Sequence, residues 1–178
     1  AGLDRPSVHG DVVHSRPLSV RYDDDSVVIY YGANDGFFRA VDTSNGTEKW
    51  AFLAPEHHGK IKRLYDDEPL IKYEGVLVDP DDATAEPKDY FFDGPTGYHV
   101  EYDDANDLAS GDVGDLEYAY IYPTMRRGGR MVYALDVTDP DAAPSLLWRQ
   151  GCPNLDNDTG CTADFANIGQ TWSTPIGG

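Results

Sequence analysis

The sequence predicts an all-β fold, a partial β-propeller of about two blades plus the start of a third. Two observations predict it. Strand-length apolar runs separated by turn residues fill the chain, and no apolar pattern at i, i+3, i+4 and i+7 is sustained. The anchors of one four-stranded unit also recur. Pro17, Pro95 and Pro175 stand 78 and 80 residues apart, Ala40-Val41-Asp42 returns as Ala134-Leu135-Asp136, and Trp50 returns as Trp148. A repeating four-stranded unit with a late aromatic is the mark of a propeller blade.

Blade one covers about 15–52. Pro17 to Arg21 reads as its opening strand and Asp23-Asp24-Asp25 as the turn that follows. Ser26 to Tyr31 is rich in β-branched and aromatic residues and forms the second strand. Asn34-Asp35-Gly36 is a hairpin turn, because Asp-Gly supplies the positive φ that tight turns demand. Gly36 to Asp42 is the third strand, Thr43-Ser44-Asn45-Gly46 a turn, and Thr47 to Phe52 the fourth strand. A long loop, 53–90, reads as a surface excursion, with His57 and His58 solvated in it.

Blade two, about 91–148, carries an insertion. Pro17 to Asp42 is 25 residues, whereas Pro95 to Asp136 is 41, so sixteen extra residues lie between its opening strand and its Ala-Leu-Asp. The acidic stretch Glu101 to Asp115 falls there. Residues 169–178 begin a third blade. Asp42 and Asp136 are expected to accept backbone N–H bonds in the turns after them. Trp50 and Trp148 are expected to fasten one blade to the next by burying large apolar area.

Lys plus Arg number 14 against 32 Asp plus Glu, a net charge of −18. Such a surface repels nucleic acid and anionic lipid, so neither is an expected partner. No apolar run approaches the ~20 residues that span a bilayer, so no membrane insertion is expected. The chain starts at Ala1 without Met, which reads as a start removed by processing, by proteolysis or in the making of the expressed chain. Cys152 and Cys161 bracket a loop rich in Pro, Asn, Asp and Gly, 152–161, and read as a local disulfide. Zinc fits less well, since two thiolates with no nearby His leave its coordination unfilled. A disulfide implies an oxidising compartment.

The block from Val28 to Phe52, with Gly10 to Pro17, Leu64-Tyr65, Tyr90 to Pro95, Gly128 to Pro140 and Gly169 to Pro175, resembles the C-terminal propeller of the PilC/PilY family of type IV pilus tip-associated adhesins, block for block and in order. The resemblance spans nearly the whole chain. It implies a non-catalytic structural and binding module concerned with adhesion and pilus biogenesis, under calcium control. It implies export through the periplasm to an extracellular, pilus-associated location. The implied partners are type IV pilin or pilus tip proteins, a host or surface ligand, and the rest of the propeller or copies of the chain itself.

In that family the calcium loop follows a blade-opening strand. Calcium takes six to eight oxygens, which loops of Asp and Asn supply. The insertion of blade two offers Asp103, Asp104, Asn106, Asp107 and Asp112, with Asp115 beyond them, as calcium candidates. Their spacing departs from the family's Asp-x-Asp-x-Asn, and a solvated acidic loop is the competing reading. Ala40-Val41-Asp42 with Gly46 and Trp50 also resembles the blade motif of quinoprotein dehydrogenases, but the adjacent-cysteine pair of those enzymes has no counterpart here. A purely structural propeller is the third reading. No catalytic motif of known spacing appears, and no catalysis is expected. Arg126-Arg127-Gly128-Gly129-Arg130 is the one basic cluster and reads as a turn with charged flanks, with docking of an acidic partner as the alternative.

Propellers close with about four to eight blades. Two blades and the start of a third are therefore expected to be a fragment ordered only inside an assembly, with an apolar face left over at each end.

Overall fold

The computed structural model describes residues 9–66, 68, 71–72, 85–103 and 114–177. Its frame is two four-stranded antiparallel sheets. The first runs in order through β1 (Leu18–Arg21), β2 (Val27–Gly32), β3 (Phe37–Asp42) and β4 (Glu48–Leu53). A 3-10 turn, Pro55–His57, leads into α1 (His58–Asp66). A two-residue parallel pair follows, β5 (Ile71–Lys72) with β6 (Glu86–Pro87). The second sheet is β7 (Thr96–Tyr102), β8 (Leu116–Pro123), β9 (Arg130–Asp136) and β10 (Ser145–Cys152).

Each strand of the first sheet lies within one or two residues of its sequence-based bounds. Gly36 sits at φ 105° in the β2–β3 turn and Gly46 at φ 75° in the β3–β4 turn, so both turns use the conformation that glycine adopts most readily. The sheets are also alike in detail. Trp50 pairs with Ala40 and Trp148 with Ala134, each beside a break in register. Asp42 Oδ1 accepts the Ser44 N–H at 2.8 Å, and Asp136 Oδ1 accepts the Thr138 N–H at 3.0 Å.

The core lies between the two sheets. Val20, Val28, Tyr30, Phe38 and Ala40 from the first pack in one cluster with Ala119, Ile121, Met131, Tyr133 and Leu135 from the second. Phe92, fully buried, joins them edge-on to Phe38 at 5.6 Å and to Tyr133 at 6.3 Å. Buried hydroxyls are satisfied across the seam: Tyr22 donates to the Val137 carbonyl at 2.7 Å and accepts from Tyr30 at 2.5 Å. Burial holds the Tyr22 phenol well above its usual range.

Two expectations are corrected. The stretch 53–90 is more than a surface loop: the 3-10 turn, α1 and the β5–β6 pair fall within it, and α1 carries Ile61 up to Gly36 at the β2–β3 hairpin. His57 is not solvated. It is fully buried, with its ring edge-on to Phe91 at 5.0 Å and Phe92 at 5.2 Å. Its neighbour His58 is exposed, since successive positions on a helical turn point about 100–120° apart.

The opening strands stand side by side. β1 contacts β7, and Ile176 forms a parallel bridge to Tyr98 on the free edge of β7. Before β1, residues 9–15 strap the β2–β3 hairpin: Ser15 Oγ accepts the Gly32 N–H at 2.9 Å and the Asp11 carbonyl accepts the Asn34 N–H at 3.0 Å.

Candidate functional site

The acidic insertion closes at its neck. The Asp103 N–H donates to the Asp115 carbonyl, and Asp103 Oδ1 accepts the Asp115 N–H, both at 2.8 Å. Asp104, Asn106, Asp107 and Asp112 lie outside the described residues. Asp103 therefore has one carboxylate oxygen already engaged in holding the neck. Among the described residues, the one cluster of three with metal-ligand atoms close together is Cys152, Asp158 and Cys161. Two of those three are bonded to each other.

Cys152 and Cys161 form a disulfide with their Cα atoms 4.0 Å apart. Arg130, almost fully buried, fixes the loop that they close. Its guanidinium donates to the carbonyls of Asn154 at 3.0 Å and Asn157 at 2.8 Å, and to Asp158 Oδ1 at 2.7 Å. Asp158 is held below its usual carboxylate range by that guanidinium and by the Asn167 N–H.

The loop also walls a cavity of about 430 Å³ against the Pro55–His57 turn and α1. Glu56, His57 and Lys60 line one side, and Asn154, Asp156 and Thr159 the other. Glu56 Oε2 accepts the Tyr133 hydroxyl at 2.6 Å, while Oε1 is buried without a partner. Lys60 donates to the carbonyls of Tyr90 and Gly128, each at 3.3 Å, and lies 5.5 Å from the Phe91 ring centroid. Burial lowers its pKa. Burial, with the Lys60 charge behind it, pushes His57 down to about 3, so the imidazole is neutral at physiological pH. Sequence reasoning missed Glu56, His57 and Lys60. Their one local signal is Pro55, a residue that suits the first turn of a helix.

A buried polar knot ties the strap to both sheets. Asp93, fully buried, accepts from His14 Nδ1 at 2.7 Å and from Asn34 Nδ2 at 3.1 Å. Asn34 Oδ1 in turn accepts the Phe91 N–H at 3.2 Å.

The two tryptophans differ in surroundings. Trp50 is half-buried against the inter-sheet core, with ring centroids 5.7 Å from Tyr30 and 6.3 Å from Phe38. Trp148 is 43 % exposed and stacks on Tyr122 at 5.9 Å. It stands on the face of the second sheet turned away from the first, where Tyr118 and Tyr120 also stack at 4.8 Å.

What the fold and these surfaces define is a mostly β module of two similar four-stranded sheets with little helix, packed face to face and pinned by one disulfide. Over most of its length the chain is a PilY1-like segment. It is 28 % identical over 186 residues to the type IV pilus biogenesis factor PilY1 of Pseudomonas aeruginosa strain UCBPP-PA14, covering 89 % of this chain and 14 % of that protein. It is 25 % identical over 199 residues to the PilY1 homolog of Xylella fastidiosa strain Temecula1, covering 97 % and 13 %. To PilY1 of P. aeruginosa strain PAO1 it is 30 % identical over 124 residues, covering 69 % and 8 %. The chain thus spans a small part of the length of these relatives. No protein-family model and no solved structure matches it. The PilC/PilY resemblance read from the sequence blocks is borne out by these relatives. They are pilus factors rather than known enzymes.

Proposed function

We propose that the chain is a non-catalytic structural and binding segment of a type IV pilus biogenesis factor, working at the cell surface or on the pilus. The observation that carries this reading is the similarity to two PilY1 proteins across 89 and 97 % of the chain. In this reading the two sheets are successive blades of a β-propeller. The adjoining opening strands β1 and β7, with Ile176 bridged in parallel to Tyr98, support that arrangement, since blades set their innermost strands side by side around an axis.

An adhesive role with calcium control belongs to the same reading. Its site is the loop closed by Asp103 and Asp115, and its partners are pilin or pilus tip proteins and a surface ligand. Calcium in the range of extracellular modules, roughly 0.1–1 mM, is then expected to raise the melting temperature of the chain. An unchanged melting curve removes calcium control from this segment.

Deleting this segment in frame from its parent gene tests the main reading. Surface pili and pilus-driven motility are expected to fall while the truncated protein is still made and exported. Normal piliation in that strain would sink the proposal.

A further inference from the structure

The β8–β9 turn presents two arginines in an unusual state. In a chain of net charge −18, several arginines and lysines reach carboxylates: Arg39 to Asp35, Lys49 to Asp141, Arg63 to Asp89, Lys88 to Asp11 and Arg130 to Asp158. Among the described residues, Arg126 and Arg127 form no ion pair; they face aromatic rings instead. The Arg126 guanidinium lies 4.6 Å from the Trp172 ring centroid, and that of Arg127 lies 5.4 Å from Tyr90 and 6.0 Å from Trp172. Arg126 Nε is buried without a hydrogen-bond partner, and Trp172 is 47 % exposed.

The platform is rigid. Arg126 holds φ 47°, a conformation that a non-glycine residue keeps only when its surroundings enforce it. The Arg126 N–H donates to the Thr171 carbonyl at 3.1 Å, and the Thr171 N–H to the Gly129 carbonyl at 3.3 Å. A side chain at Gly128 would run into the Phe91 carbonyl, and one at Gly129 into the Met125 sulfur. Two cations are therefore held over the exposed Trp172 ring and the half-buried Tyr90 ring, Arg127 also donating to the Tyr90 hydroxyl at 3.4 Å, without an anion. Arg, Trp and Tyr are also the residues that dominate protein-interface hot spots.

We propose that Arg126, Arg127, Trp172 and Tyr90 form a docking patch for an acidic segment of a protein partner. Two carboxylates of that segment complete the arginines, and its apolar side chains lie against the Trp172 ring. The rest of the surface selects this class of partner. An extended polyanion or an anionic bilayer would meet the surrounding negative charge as well as the patch, whereas a short acidic segment touches the patch alone.

Titration calorimetry of the chain with a short synthetic glutamate-rich peptide containing leucine tests this. Saturable binding that weakens with salt is expected. Arg127→Ala should weaken it by about tenfold, the size of one lost charge-assisted contact. Arg126→Asn with Arg127→Ala should abolish it, Asn being chosen because it tolerates positive φ. Three results would overturn the proposal: no binding by a chain that melts cooperatively, equal binding by the double variant with its melting intact, or tighter binding of a polyuronate or of anionic vesicles at the same patch.

Discussion

At the scale of single residues, His57 shows how far burial reaches into pH dependence. The folded protein keeps its imidazole neutral down to about pH 3, because the ring is enclosed by Phe91 and Phe92 and the Lys60 charge adds to the penalty. In the unfolded chain the same group takes up a proton near its ordinary pKa of about 6.5. Between those values the unfolded state binds more protons, so stability falls as pH falls, by up to about 1.4 kcal/mol per pH unit. His57→Gln removes this titration. The variant should be less stable than the parent at pH 7, and its melting temperature should drop less steeply towards pH 4. Equal slopes for the two proteins would show that His57 is hydrated and titrates normally. Nothing in the sequence distinguished His57 from His58. Which of two adjacent histidines is buried depends on the approach of Phe91 and Phe92, more than thirty positions away, and no local pattern encodes that.

At the scale of elements, legibility follows the turn chemistry. The strands of the first sheet could be read because Asp-Gly and Asn-Gly turns punctuate them, and both glycines hold positive φ. The helix α1 escaped because its nine residues, HGKIKRLYD, carry a short apolar stripe of Ile61 and Leu64 among charges. Two glycines separate local from tertiary constraint. At Gly59, inside α1, an added Cβ meets nothing within 4 Å, so Gly59→Ala should stabilise the protein by roughly 0.5–1 kcal/mol through helix propensity alone. At Gly32, on β2, a Cβ would strike the Phe92 carbonyl and push the second sheet's leading segment off the first. Gly32→Ala should destabilise by about 1–3 kcal/mol or more. Urea unfolding of both variants checks the pair, and a neutral Gly32→Ala would mean that the sheets are not seated as closely as described. The 152–161 loop gives a third test at this scale. Serine at both Cys152 and Cys161 should lower stability by roughly 2–3 kcal/mol from loop entropy, with Arg130 still holding the loop carbonyls. A loss well below that, measured by the same unfolding curves, would assign the loop's order to Arg130 instead.

At the scale of the whole molecule, the two sheets are alike but their environments are not. The Trp50 side of the first sheet is covered by the second, and Trp50, Phe52 and Tyr30 share its core. The matching side of the second sheet carries Tyr118, Tyr120, Tyr122 and Trp148, with Leu146 and Leu147 exposed nearby. The repeat anchors made this asymmetry readable in advance, since Trp148 is the positional partner of Trp50 and lacks a third sheet among the described residues. An aromatic face of this kind gains free energy by meeting another apolar surface. The edge at β7, where Ile176 adds one parallel bridge to Tyr98, offers backbone groups to further strand pairing. The isolated chain is therefore expected to self-associate at low micromolar concentration. Trp148→Arg together with Tyr122→Glu should shift it towards monomer, because charges on that face must be desolvated when it is covered. Sedimentation velocity over a concentration series measures both. A parent chain that stays a compact monomer and melts cooperatively would show that the second sheet's aromatic face is stable in water, and that the two sheets form a finished unit.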